Sequence, residues 1–118
     1  MKVVHINVAC GKGSTGVIVV EISELLKKKG YESYIAYGLG QSDYPNSYKI
    51  GSNLESKLHA LINTRILGEE GSGSVCATKK LVKWLDSITP DIVHLYTFHS
   101  NYVNYEILFR YLISRHIR

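Results

Sequence analysis

Hydrophobic positions along this chain form short apolar runs that alternate with longer stripes of helical spacing. The first run, residues 2–8 (KVVHINV), is rich in β-branched residues and is typical of a buried parallel strand. The stripe that follows predicts an amphipathic helix that ends near Gly30. We expect its inward face to consist of four apolar side chains, Ile18, Ile22, Leu25 and Leu26.

The same alternation continues to the end of the chain. Further strands are predicted at 32–38 (ESYIAYG), at 48–51 and at the apolar run 92–98 (IVHLYTF). Ser52 and Glu55 match a capping box, which predicts that a helix begins there. Two more helices are expected later, and the inward residues of these three helices are Leu54, Leu58, Leu61 and Ile62, then Ala77, Leu81, Trp84, Leu85 and Ile88, then Ile107, Leu108, Tyr111 and Leu112.

This order of elements determines the expected fold class. Strands that alternate with helices imply right-handed βαβ crossovers, and hence a mainly parallel sheet with helices on both faces. We therefore expect one α/β, Rossmann-like domain over residues 1–118. Ligands of such sheets bind beyond the carboxyl ends of the strands, where the stretches 9–16, 38–47 and 96–102 are expected to meet.

Composition argues against a membrane-spanning protein, a nucleic-acid-binding protein and a protein held by disulfides. The 118 residues are 45% hydrophobic, and no stretch approaches the ~18 consecutive apolar residues of a transmembrane helix. The net charge of +4 comes from lysines and arginines spread over the predicted helices, which favours solvated helix faces over a nucleic-acid surface. Cys10 and Cys76 lack the spacing of a metal or disulfide motif, so we expect reduced thiols in a cytoplasmic protein.

A glycine cluster joins the first predicted strand to the first helix. Residues 11–16, GKGSTG, fit the pattern GxGxxG, and free amides at a helix start favour an anion. Ser14 or Thr15 would cap the helix or bond a phosphate oxygen. A dinucleotide site also needs an acidic residue at the end of the second strand, but Glu32 stands at its start. A Walker P-loop does not fit either, because Lys12 is followed by glycine. Two interpretations stay open, a general anion-binding turn and a plain tight turn.

Histidines supply the remaining candidate chemistry. His5 and His94 lie inside predicted strands, where hydrogen-bonded core histidines are expected. His99 follows the 92–98 strand on the ligand-binding rim. There it either acts as a base or hydrogen-bonds an acceptor hydroxyl, or it is an ordinary surface histidine. No nucleophile–histidine–acid set and no metal-ligand spacing can be assembled from the sequence, so we expect no metal.

Several segments together resemble a known family. KVVHIN, GKGSTG, SYIAYG and PDIVHLYTFHSNY are similar to the amino-terminal part of family 4 glycosyltransferases of the GT-B fold, and most of all to bacterial enzymes of polysaccharide and capsule biosynthesis. The similarity covers essentially the whole chain. Family members have two Rossmann-like domains that face a cleft. They move a sugar from a nucleotide diphosphate donor to an acceptor hydroxyl, with retention and without a metal.

The resemblance implies roles for particular residues. His99 would be the catalytic residue beside the acceptor, with Asn101 and Tyr102 on the acceptor side. Val17 stands where family members often carry arginine, which removes one phosphate contact. The donor diphosphate would bind to the glycine turn, at Gly13, Ser14, Thr15 and Gly16.

The resemblance also implies what this domain works with. Its substrates would be a nucleotide sugar and a saccharide or lipid-linked acceptor, with no further cofactor and no nucleic acid. The carboxy-terminal domain with the E-x7-E segment is missing, so we expect a fragment that is inactive alone. We further expect a cytoplasmic location with peripheral contact to the inner face of the membrane, and self-association through an exposed sheet edge. The alternative function is a standalone Rossmann-like module that binds a nucleotide or a partner without catalysis.

Overall fold

The computed structural model describes residues 1–51, 75–96 and 102–118. Within these ranges the strands are β1 (Lys2–Asn7), β2 (Glu32–Tyr37), β3 (Ser47–Lys49) and β4 (Ile92–Leu95). They form one sheet of order β3-β2-β1-β4, and every neighbouring pair is parallel. The predicted α/β fold with a parallel, Rossmann-like sheet is therefore confirmed. The elements in chain order are β1 (Lys2–Asn7), α1 (Gly13–Lys28), β2 (Glu32–Tyr37), β3 (Ser47–Lys49), α2 (Val75–Ile88), β4 (Ile92–Leu95) and α3 (Tyr105–Ser114).

Helices cover both faces of the sheet, as predicted. The larger core joins Val4 and Ile6 of β1 to Leu81 of α2 and Leu108 of α3. The smaller core lies on the opposite face, where Val19 of α1 packs with side chains of β2. β1 lies between β2 and β4, and helices cover both of its faces. Its residues from 3 to 7 are therefore all buried.

The orientation of α1 differs from the prediction. Its buried residues are Gly16, Val19 and Ser23, whereas Ile18 is 48% exposed and Leu25 is 57% exposed. The predicted apolar stripe is thus turned roughly a third of a helical turn away from the sheet. Small side chains let a helix approach the strands closely, and the hydroxyl of Ser23 donates to a serine of β2 at 2.8 Å. The face of α1 that packs on the sheet is therefore determined by small side chains and a hydrogen bond, and not by hydrophobicity alone.

Two further predictions about local structure are wrong. Neither Ser14 nor Thr15 caps α1, because the helix begins at Gly13 and Lys12 occupies the cap position without a side-chain bond. His94 is exposed rather than buried, since it lies on the α1 side of the edge strand β4 and α1 packs over β1 and β2.

The remaining elements agree with the expected order. β4 ends at Leu95, earlier than expected, and the predicted helix from Ser52 lies outside the described residues. Trp84 of α2 is half-buried, and its ring stacks on Tyr48 at 4.7 Å between centroids. Within the described ranges, no helix has the length and apolar character required to cross a bilayer.

Candidate anion-binding site

The carboxyl edge of the sheet holds the glycine turn that the sequence singled out. Gly11 and Gly13 have φ values of +73° and +68°, a backbone region that residues with a side chain rarely adopt. The amide of Gly11 donates to the carbonyl of Gly16 at 2.9 Å, which ties the turn to the first helical turn. This bond holds the start of α1 close to the turn that follows β1.

Gly16 has a packing role in this arrangement. A Cβ atom at this position would lie 3.3 Å from the Gly11 nitrogen and 3.4 Å from Ala9. Glycine therefore allows the close approach of helix and turn, as the last glycine of a GxGxxG pattern does. Gly16 itself is buried, so its contribution to a ligand site is indirect.

The first amides of α1 are available to a ligand. Gly13 and Ser14 are exposed and Thr15 is half-buried. Within the described part of the chain, the amides of these three residues donate to no acceptor, and no side chain caps the helix. The unsatisfied N–H groups and the positive end of the helix dipole together favour an anion.

An open cleft of about 410 Å³ lies beside this turn. It is lined by Lys12 from the turn and by Gln41, Ser42 and Asp43 from the connection between β2 and β3. The anion-binding interpretation required such an opening, and the cleft lies at the position where parallel sheets of this class bind ligands.

The connection between β2 and β3 (residues 38–46) is held in place by specific bonds. The Leu39 amide donates to the Val8 carbonyl at 2.7 Å, and the Ser42 amide donates to the Tyr37 hydroxyl at 3.1 Å. Tyr44 lies against α1, where its hydroxyl bonds Ser23 at 3.1 Å. The far wall of the cleft is therefore fixed to the sheet and to α1.

A row of three polar side chains crosses the carboxyl edge of the sheet. Asn7, Tyr37 and Lys49 are register partners at the carboxyl ends of β1, β2 and β3. Asn7 is fully buried and donates to the Ala9 carbonyl at 2.8 Å, but its Oδ1 atom has no partner. Lys49 is half-buried, and burial lowers the pKa of its ammonium. The sequence analysis did not single out this row, although all three residues lie inside predicted strands.

Cys10 lies in the same region but is closed off. It is buried in the smaller core, and burial raises the pKa of its thiol. Cys10 and Cys76 are both free cysteines, in agreement with the expected reduced state.

Tyr102, predicted on the acceptor side, is a core residue in this structure. It is 1% exposed, and burial raises the pKa of its hydroxyl. A Cβ atom on Gly38 would lie only 2.2 Å from the Cγ of Tyr102, so the ring packs directly on the glycine that follows β2. An acceptor could reach Tyr102 only after this packing opened. The other two predicted residues, His99 and Asn101, lie outside the described residues.

Comparisons with known proteins do not extend this description. No protein-family model, curated protein or solved structure matches the chain. In the described ranges, no group of three or more histidine, cysteine, aspartate or glutamate side chains is placed to hold a metal ion.

Proposed function

We propose that this chain is the acceptor-side domain of a retaining glycosyltransferase, and that the start of α1 binds the diphosphate of a nucleotide-sugar donor. One observation carries the proposal. Within the described part of the chain the amides of Gly13, Ser14 and Thr15 are uncapped, and Lys12, which directly precedes them, lines an open cleft. GKGSTG and PDIVHLYTFHSNY resemble family 4 glycosyltransferases, and this resemblance supports the identification of the anion as the diphosphate of a sugar donor.

The chemistry of sugar transfer suits such a turn. As the bond between the sugar and the diphosphate breaks, negative charge builds on the diphosphate. Fixed amides aimed at that group stabilise the charge without rearranging, and they act most strongly where water is excluded. In this proposal Lys12 adds a mobile cation at the cleft, and His99 orients the acceptor hydroxyl.

The implied partners follow from the same proposal. They are a nucleotide sugar and a saccharide or lipid-linked acceptor. A lipid-linked acceptor would bring the protein to the inner face of the membrane as a peripheral, cytoplasmic enzyme. Sugar transfer in this family also uses a second Rossmann-like domain, so residues 1–118 by themselves are expected to transfer no sugar.

A pair of variants at one position tests whether the backbone amides bind the anion. Pyrophosphate is added to isotopically labelled protein, and the amide resonances of Gly13, Ser14 and Thr15 are followed by NMR. Ser14→Ala keeps the amide and removes the hydroxyl, so it should bind pyrophosphate almost as the parent does. Ser14→Pro removes the amide at a helix position that tolerates proline, and it should weaken binding roughly tenfold.

The opposite pattern would contradict the proposal. If the turn resonances of the parent protein do not move with pyrophosphate, the anion site does not exist. If Ser14→Pro binds as tightly as Ser14→Ala, the amide of this residue does not contact the anion. Binding without sugar transfer in an enzyme assembled with its second domain would favour the non-catalytic nucleotide-binding module instead.

A further inference from the structure

The side chains that line the cleft do not by themselves attract a polyanion. Lys12 and Asp43 both line it, and their opposite charges offset each other. The first turn of α1 contributes only about half an elementary charge. A diphosphate carries more charge than this, so the site needs a further cation close to the turn.

Lys49 is a half-buried cation at this edge, and within the described ranges it has no counter-charge. Its Nζ contacts the Gly38 carbonyl oxygen and lies 5.5 Å from the centroid of the Tyr37 ring. Among residues 1–51, 75–96 and 102–118, no carboxylate pairs with it, whereas the half-buried Lys27 pairs with Glu24 at 3.3 Å. A half-buried ammonium that lacks an anion gains more from a bound phosphate than an exposed lysine does.

The fold places Lys49 toward the turn. Its neighbour Tyr48 stacks on Trp84 of α2, so the alternation of side chains along β3 directs Lys49 to the α1 face. The amide of Gly38 bonds the carbonyls of Asn7 and Val8 at 3.2 Å. The Lys49 ammonium thus contacts the residue that follows β2, and β2 pairs directly with β1, the strand that leads into the glycine turn.

Asn7 gives an independent sign of a ligand at this edge. Its side chain is fully buried, its Nδ2 is fixed on Ala9, and its Oδ1 is the one buried side-chain polar atom in the described ranges without a partner. Native proteins rarely leave such an acceptor unpaired, and since ionised phosphate oxygens are themselves acceptors, a bound water or a protonated phosphate oxygen is the donor that would satisfy it.

We propose that Lys49 is a ligand-binding residue of this site, and that it makes the site selective for phosphate-type polyanions over carboxylates. The inference rests on the function proposed above, because it assigns the second cation of the same diphosphate site. Lys49 and the α1 amides approach the anion from opposite sides. Two phosphate groups can engage both at once, whereas a single carboxylate cannot.

The test compares two lysine-to-glutamine variants with the same change in charge. Pyrophosphate, inorganic phosphate and acetate are each added to the parent protein, to Lys49→Gln and to Lys28→Gln, in which an exposed lysine of α1 is changed. We expect Lys49→Gln to weaken pyrophosphate binding roughly tenfold and Lys28→Gln to change it less than about twofold. The parent protein should prefer pyrophosphate to acetate, and Lys49→Gln should reduce that preference.

The outcomes separate this inference from the proposed function. If the turn amides respond to pyrophosphate but both variants bind it equally, the inference about Lys49 is overturned and the diphosphate-binding turn stands. If the turn amides of the parent protein do not respond, the proposed function fails. In that case, a separate measurement on the parent protein tests whether Lys49 binds the anion.

That second measurement needs no substitution, so it is independent of whether the variants fold. The lysine side chains are labelled at Cε, and their resonances are followed with pH in the presence and absence of pyrophosphate. Burial lowers the pKa of Lys49 in the free protein, and a bound anion should raise it. A Lys49 resonance that is unchanged by saturating pyrophosphate would overturn the inference, whatever the turn amides do.

Discussion

At the scale of single residues, His5 shows how burial controls protonation. The side chain is 1% exposed, and its two ring nitrogens lie 3.1 Å from the hydroxyls of Ser33 and Tyr96. Burial, assisted by the nearby His94, lowers the pKa of His5 to about 4. The sequence analysis expected a hydrogen-bonded core histidine at this position, and the structure confirms it.

The lowered pKa of His5 predicts a loss of stability in mild acid. Below the unfolded-state pKa of about 6.5, the unfolded chain binds a proton that the folded protein excludes. Stability from this residue is therefore complete above that pH and falls until the pH reaches about 4. We expect the free energy of unfolding to drop by about 2 kcal/mol between pH 7.5 and pH 5, measured in urea.

NMR titration of the His5 ring checks the cause directly. Its pKa should lie near 4, whereas a value close to 6.5 would contradict the argument. His94→Gln serves as a control, because it removes the weaker electrostatic contribution and leaves the burial of His5 unchanged. It should raise the pKa of His5 only slightly.

At the scale of elements, α1 shows that an apolar stripe does not by itself define the buried face of a helix. Val19 is fully buried between Gly16 and Ser23, while the large apolar residues Ile18 and Leu25 are half-exposed. Alanine substitutions along one helix therefore distinguish the predicted face from the observed one. We expect Val19→Ala to cost about 2 kcal/mol of unfolding free energy, because it removes fully buried methyl groups.

The matched variants Ile18→Ala and Leu25→Ala use the same helix and the same replacement residue. Each should cost less than about 1 kcal/mol, since much of the removed surface is already in contact with water. Urea unfolding of the three proteins gives the comparison. A larger loss for Ile18→Ala than for Val19→Ala would mean that α1 packs by the predicted stripe.

At the scale of the whole molecule, the exposed apolar surface bears on the expected self-association. Ile18 and Leu25 lie on the outer flank of α1, and Phe109 and Ile113 lie on α3. On the β4 side of the sheet, the Val93 amide donates to the Arg118 carbonyl at 2.7 Å, so that part of this strand is already paired. Self-association through the sheet edge stays a prediction, and the apolar surface of α1 is a second place where we expect a contact.

Light scattering after size-exclusion chromatography tests this location. The mass of the parent protein should rise with concentration, and the double variant Ile18→Ser, Leu25→Ser should remain closer to the monomer. Phe109→Ser, on α3, is the control and should behave as the parent does. A parent protein that stays monomeric at every concentration would contradict the proposal.

The sequence alone was sufficient for the order of the elements and for the parallel sheet. Short apolar runs between helical stripes reflect local periodicity, and the chirality of βαβ connections leaves few arrangements for them. The position of the glycine turn also followed, because GKGSTG stands between a strand and a helix. These features depend on neighbours that are close in the chain.

Only the tertiary structure decided which side chains share a site and which face of a helix is buried. Lys49 lies forty-two residues after Asn7 in the chain, yet strand register aligns both with Tyr37 at one edge of the sheet. Tyr102 is buried because its ring packs over Gly38. α1 buries a different face from the predicted one, and on that face the Ser23 hydroxyl donates to Ser33 of β2. Register, close packing and hydrogen bonds between distant residues are set by the whole fold, so local periodicity does not contain them.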